Sequence, residues 1–111
     1  MSWRVETLND VVDRELEALP ADMLAYLQRI VGLIETFGLE QVHEPWLKHL
    51  DGPLWEMRLK GRSGIARAIY VTSVGRRIVI LRVFRKKRQK TPQSELELAR
   101  FRARELQSWL P

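Results

Sequence analysis

The spacing of apolar residues changes several times along the chain, and each change marks an element. From Trp3 to Leu8 (WRVETL) alternation places Trp3 and Val5 on one face, which predicts a short strand. Asn9 or Asp10 then supplies an N-cap for a helix running to about Ala18. Its stripe is Val12, Leu16 and Leu19, and Pro20 stops it. From Met23 to Phe37 the apolar positions 23, 27, 30, 34 and 37 fall on one side, widened by Leu24, Val31 and Leu33. Asp22 suits the N-terminus of this second helix, and Gly38 is a natural residue just past its end. The short link Leu19-Pro20-Ala21 predicts that the two helices form an antiparallel hairpin.

Residues 38–53 read as a connector punctuated by Pro45, Gly52 and Pro53. Three strand-like runs follow. In Leu54 to Lys60, Trp55, Met57 and Leu59 alternate with Glu56, Arg58 and Lys60. A turn at Gly61-Arg62-Ser63-Gly64 leads into Ile65 to Val74, and a turn at Gly75-Arg76 leads into Arg77 to Arg85. The run Ile78-Val79-Ile80-Leu81 predicts a strand buried on both faces. Such short connections imply an antiparallel meander. Thr91-Pro92 opens a last helix capped by Thr91 or Ser94, with Leu96, Ala99, Ala103, Leu106 and Leu110 as its buried stripe. The predicted fold is α+β in the order β-α-α-β-β-β-α, one domain over residues 1–111. Its small, mostly antiparallel sheet is packed by the helical hairpin and the C-terminal helix.

Charge changes this picture most. Residues 1–56 hold 11 acids against 4 bases, residues 57–94 hold 12 bases and no acid, and residues 95–111 hold 3 of each. The basic segment is also the one with the three strand-like runs, so it is a folded surface and not a solvated tail. A one-sign field on folded strands suits a polyanion, and nucleic acid leads. Arg58 and Lys60 share a face opposite Trp55, Met57 and Leu59. Arg67 falls inside the next strand, where a charge needs solvent or a counter-ion. Arg82 is placed similarly in the last strand, and Arg85-Lys86-Lys87-Arg88, with Lys90, runs into the loop before the final helix. Arg76, Arg77, Arg88 and Lys90 sit in turns, where a solvated surface role weighs evenly against binding.

The chain has no cysteine, which excludes disulfides and thiolate metal sites and suits a reducing cytoplasm. The first residues lack the apolar core of a signal peptide, and no apolar run approaches the roughly 18 residues of a membrane helix. His43 and His49 lack ligand spacing, so no metal and no cofactor is expected. The residue types do permit metal-independent RNA cleavage through the 2′-hydroxyl. Arg side chains hold the phosphate, a lysine crowded by cations has a lowered pKa, and His49 is the nearby group with a suitable intrinsic pKa for proton transfer.

Three blocks carry a family resemblance. Lys48-His49-Leu50-Asp51-Gly52-Pro53-Leu54-Trp55-Glu56-Met57-Arg58-Leu59 resembles the K-x-L-x-x-x-L-[WY]-E-[LM]-R block of the RelE/HigB toxin superfamily, in its phage-derived HigB-like branch. Ala66-Arg67-Ala68-Ile69-Tyr70 resembles its third block. Phe84 to Pro92, with Glu95 and Ala99, resembles F-x-K-K-x-x-K-T-P-x-x-E-x-x-x-A. Together the blocks span roughly residues 48–104.

The resemblance implies the toxin of a type II toxin–antitoxin pair, a cytoplasmic, metal-independent and ribosome-dependent mRNA endonuclease. It implies ribosome and mRNA as partners, and a cognate helix-turn-helix antitoxin of HigA-like type through which DNA is met only indirectly. By position, Arg58, Arg67, Lys86 and Lys87 are the implied catalytic set. Lys60, Arg82, Arg85, Arg88 and Lys90 are the implied RNA contacts. Many relatives carry a Tyr or His near the C-terminal end, where this chain has Trp109-Leu110-Pro111, so the proton-transfer group stays open, with His49 a candidate and Tyr70 expected to face the core. The alternatives are a non-catalytic basic RNA- or ribosome-binding module of the same fold and a DNA-binding regulator. The last is weakened because residues 21–37 carry only Arg29 as a base.

Overall fold

The computed structural model describes residues 2–43 and 45–109. Strand β1 (Arg4–Thr7) is followed by helices α1 (Asp10–Glu17) and α2 (Ala21–Phe37), then β2 (Leu47–Asp51), β3 (Leu54–Gly61), β4 (Gly64–Ser73), β5 (Arg77–Arg85) and helix α3 (Gln93–Trp109). The sheet order is β1-β5-β4-β3-β2, with β1 parallel to β5 and every other pairing antiparallel. The expected α+β architecture is present, with one addition. The predicted connector contains an edge strand, β2, preceded by a 3-10 turn at Leu39–Gln41. Its five residues are mostly exposed on one side of a single neighbour, so they lack the alternating pattern that marks a half-buried strand.

Local chemistry explains the boundaries. Asn9 adopts an extended backbone and accepts a hydrogen bond from the Val12 N–H, which caps α1. Gly38 ends α2 at φ 93°, a conformation open to glycine. Asp22 does more than favour the start of α2. Its Oδ1 accepts from Met23 N, while Oδ2 accepts from Arg62 N at 2.5 Å and ties the helix to the β3–β4 turn. Gly61 permits that approach, since a Cβ there would lie 2.7 Å from Asp22 Oδ2.

The sheet is covered on both faces. On one side α1 and α2 bury Val12, Leu19, Met23, Leu27, Ile30 and Ile34 against Met57, Leu59, Ala66, Ala68, Tyr70, Ile78 and Ile80. Phe37, the last position of the predicted α2 stripe, lies outside this core at 63% exposure. On the other side α3 packs Leu96, Ala99, Ala103 and Leu106 over Leu54, Ile69, Val71, Val79 and Leu81. Leu110 lies outside the described residues. Ile78 to Leu81 are buried on both faces as the sequence predicts. Helix α1 packs on β5 and β1, and α2 on β3 and β1. Among the described residues, no helix is long and apolar enough to cross a membrane.

The short β1 leaves half of β5 without a strand neighbour, and side chains complete that edge. A register shift between β4 and β5 pairs Ile69 with Arg82 and Tyr70 with Ile80. Beyond it, Glu15 of α1 accepts the Val83 N–H at 3.0 Å, and Arg102 of α3 donates to the Leu81 carbonyl at 2.8 Å. An open edge is thereby closed to further strand pairing.

Candidate nucleic-acid interface

Register places two arginines directly opposite each other. Arg58 on β3 pairs with Arg67 on β4, so both side chains leave one face of the sheet, the face that α3 covers only in part. Like charges at a cross-strand pair oppose folding. The compensation is Glu56, two residues before Arg58 on the same face and 1% exposed. Its Oε2 lies 3.6 Å from Arg67 Nε and accepts a hydrogen bond from Thr91 Oγ1 at 3.2 Å. The last acid before the acid-free segment therefore sits beneath the basic patch.

Arg67 is enclosed by this arrangement, at 3% exposure. Its Nη1 donates to Thr91 Oγ1 and its Nη2 to the Gln89 carbonyl, each at 2.5 Å. The counter-ion that a mid-strand arginine requires is thus Glu56. Thr91, one of the two expected α3 caps with Ser94, has its hydroxyl engaged by Arg67 and Glu56. Arg58 differs. It is half-buried, and among the described residues its side chain makes no hydrogen bond or ion pair; an Nε without a hydrogen-bond partner is common to both arginines. Lys86, whose N–H donates to the Ile65 carbonyl at 2.7 Å, is also half-buried. Partial burial first, then the charges of Arg67 and Arg58, lower its amine below the usual lysine range, while Glu56 pulls the other way. Lys87, Arg88 and Lys90 are exposed on the loop that follows, and Lys60 is exposed on β3. A concavity of about 400 Å³ is bounded by Arg67, Phe84, Lys86, Lys87, Arg88 and Pro92, among others.

The matched family decides the relationship. The pattern of the family described as "Phage derived protein Gp49-like (DUF891)" matches residues 14–104. The chain belongs to this Gp49-like family. A solved structure, described as "Crystal structure of archaeal RelE-RelB complex from Pyrococcus horikoshii OT3", matches with a TM-score of 0.60 at 22% identity. It covers 79% of this chain and 99% of that one. The likeness shows a RelE-like fold, which is the fold implied by the resemblance of the blocks around Trp55, Arg67 and Lys86. A search of the curated proteins finds no match.

Two predicted contacts of this Gp49-like protein, Arg82 and Arg85, also border the concavity, but other groups hold their guanidiniums. Arg82 is held by Glu95 at 2.7 Å and Glu15 at 2.9 Å, and its guanidinium lies 5.8 Å from the Phe84 ring centre. It joins α1, β5 and α3 and is not free for RNA. Arg85 pairs with Ala66, which faces the α1–α2 core, and its Nη2 reaches Ser63. It leaves the sheet on the opposite side from Arg58. His49 is opposite Trp55, which is opposite Tyr70 of the α1–α2 core, so its ring also lies across the sheet from Arg67. It stacks edge-on to Trp55 at 5.0 Å, and its Nε2 lies 2.9 Å from the Gly52 carbonyl oxygen. Tyr70 is core-facing as expected, and burial raises its hydroxyl pKa.

Sequence reasoning did not single out Glu56, Thr91 or Glu15 as organising residues. The available signal was Glu56 itself, a carboxylate on the polar side of an alternating strand, directly before 38 residues without another acid. Among the described residues no group of three or more His, Cys, Asp or Glu side chains is placed to hold a metal.

Proposed function

We propose that this Gp49-like protein is the toxin of a type II toxin–antitoxin pair and cuts mRNA in the ribosome: the deprotonated 2′-oxygen bonds to the adjacent phosphorus, the P–O5′ bond breaks, and the leaving 5′-oxygen takes up a proton. The observation that carries the reading is the patch where Arg58 faces Arg67, beside a Lys86 amine lowered by burial first and then by their charge. A sheet that tolerates opposed arginines gains from an anion that neutralises them. Arg58 supplies donors to the phosphate as its charge grows. Lys86, its amine below the usual lysine range, supplies proton transfer and charge, with Lys87 beside it. Lys60, Arg88 and Lys90 extend the positive surface along the RNA backbone. His49 has no part, since its ring lies on the other face. The archaeal neighbour, solved as a complex of RelE with RelB, supports a cognate antitoxin for this chain.

The reading is tested by induced expression with and without the adjacent small gene. Growth arrest and cleaved mRNA on expression alone, both relieved by co-expression, are expected. Unchanged translation with intact mRNA, in cells that hold the folded protein, contradicts it.

A further inference from the structure

The resemblance assigns Arg67 to the scissile phosphate, yet the geometry gives its guanidinium other occupations. We propose that Glu56, Arg67 and Thr91 form a buried strut that fixes the 86–91 segment against the sheet, with Arg67 a positioning residue and Arg58 and Lys86 the groups that meet the phosphate. This inference rests on the proposed RNA-binding role of the patch.

The argument begins with the loop. Residues 86–92 form neither helix nor strand, and Lys86, Lys87, Arg88 and Lys90 repel one another. Lys86 N to the Ile65 carbonyl anchors one end. Near the other end Arg67 grips both the Gln89 carbonyl and the Thr91 hydroxyl, which in turn donates to Glu56. A planar guanidinium bridges two acceptors in this way, and a lysine ammonium does not reproduce the fork. The Arg67 side chain is 4% exposed, which closes it to a bidentate approach by a phosphate. Arg58 differs in exposure and in partners: it is half-buried, and among the described residues its side chain makes no hydrogen bond or ion pair, while Nε lacks a hydrogen-bond partner in both arginines alike. The sheet thus carries one arginine that looks inward and holds the loop, opposite one that keeps its donors for a ligand.

The test is binding of a single-stranded RNA oligonucleotide across a salt series, with cleavage recorded separately. The strut predicts that Arg67→Lys, Arg67→Ala and Thr91→Val weaken binding alike, by about tenfold, the scale of one hydrogen bond to a charged group. Thr91→Ser, which keeps the hydroxyl, retains wild-type affinity. Arg58→Ala lowers the salt dependence by about one phosphate contact. The proposal is overturned if Thr91→Val binds as wild type, or if Arg67→Lys retains affinity while Arg67→Ala alone loses one contact from the salt slope. Thr91→Val alters no charge and adds no bulk, so the comparison survives if the arginine variants do not fold. A wild type that binds RNA without cutting it removes the toxin reading and leaves this comparison intact.

Discussion

Glu56 and Arg67 lie side by side on adjacent strands, Oε2 to Nε 3.6 Å, both almost without solvent contact. Around this pair the basic surface is assembled: Arg58 opposite Arg67, Thr91 bridging Glu56 and Arg67, and Lys86 within reach of their charges. Removing one member of a buried pair leaves the other uncompensated, which costs about 3–5 kcal/mol. Glu56→Gln is therefore expected to lower unfolding free energy by about 3 kcal/mol, read by urea denaturation. A loss below about 1 kcal/mol, the scale of an exposed ion pair, shows that Glu56 does not carry the patch.

The acid limb of stability depends on Glu15 and Glu6. Burial pushes Glu15 up, but hydrogen bonds from Arg102 and Val83 N–H, with the Arg82 charge, outweigh it and hold the carboxyl below its usual 4.5. Arg77 lowers Glu6 in the same direction by hydrogen bond and charge. A depressed carboxylate stabilises above the unfolded value and loses that contribution as pH falls through the folded one. Stability should thus decline below pH 4.5. Glu15→Gln should cost about 2 kcal/mol at neutral pH, with the gap to wild type narrowing as pH falls below 4.5. A gap that is constant across this range removes the linkage.

Arg67→Ala is expected to cost cleavage far more than Arg76→Ala. Arg67 organises the patch from inside the sheet, whereas Arg76 sits in a turn at φ 57°, away from Arg58 and Lys86. Loss of a preorganised phosphate environment is worth about a hundredfold in rate. Equal, small effects in two folded variants return the patch to general electrostatics.

Gly61→Ala tests how α2 is joined to the sheet. The added Cβ would lie 2.7 Å from Asp22 Oδ2 and 2.8 Å from Met23 Cγ, and the Asp22 carboxylate is held by Arg62 N. A loss of about 1–3 kcal/mol is expected from such overpacking. Thermal unfolding unchanged from wild type means that the turn yields without penalty.

Periodicity revealed most of the fold because most elements bury one clear face. Val12, Met23, Ile30 and Ile34 sit where the helical spacing puts them, and Ile78 to Leu81 where a doubly covered strand requires. β2 was illegible because an edge strand with little buried area has no pattern to read. The site was legible as a charge distribution and not as a set of roles. Arg82 and Arg67 look alike in sequence to Arg58 and Lys86, yet Glu15 and Glu95 hold the first and Glu56, Thr91 and Gln89 hold the second. Those partners come from α1, β3, the loop before α3 and α3 itself, so only the folded chain reveals which cations stay open.

Cleavage of mRNA on programmed ribosomes by wild type and Arg58→Ala is the most direct test of the central claim. The account predicts discrete cuts by wild type and about a hundredfold slower cutting by the variant, with folding retained. Intact mRNA after incubation with folded wild-type protein, or equal cutting by Arg58→Ala, contradicts it.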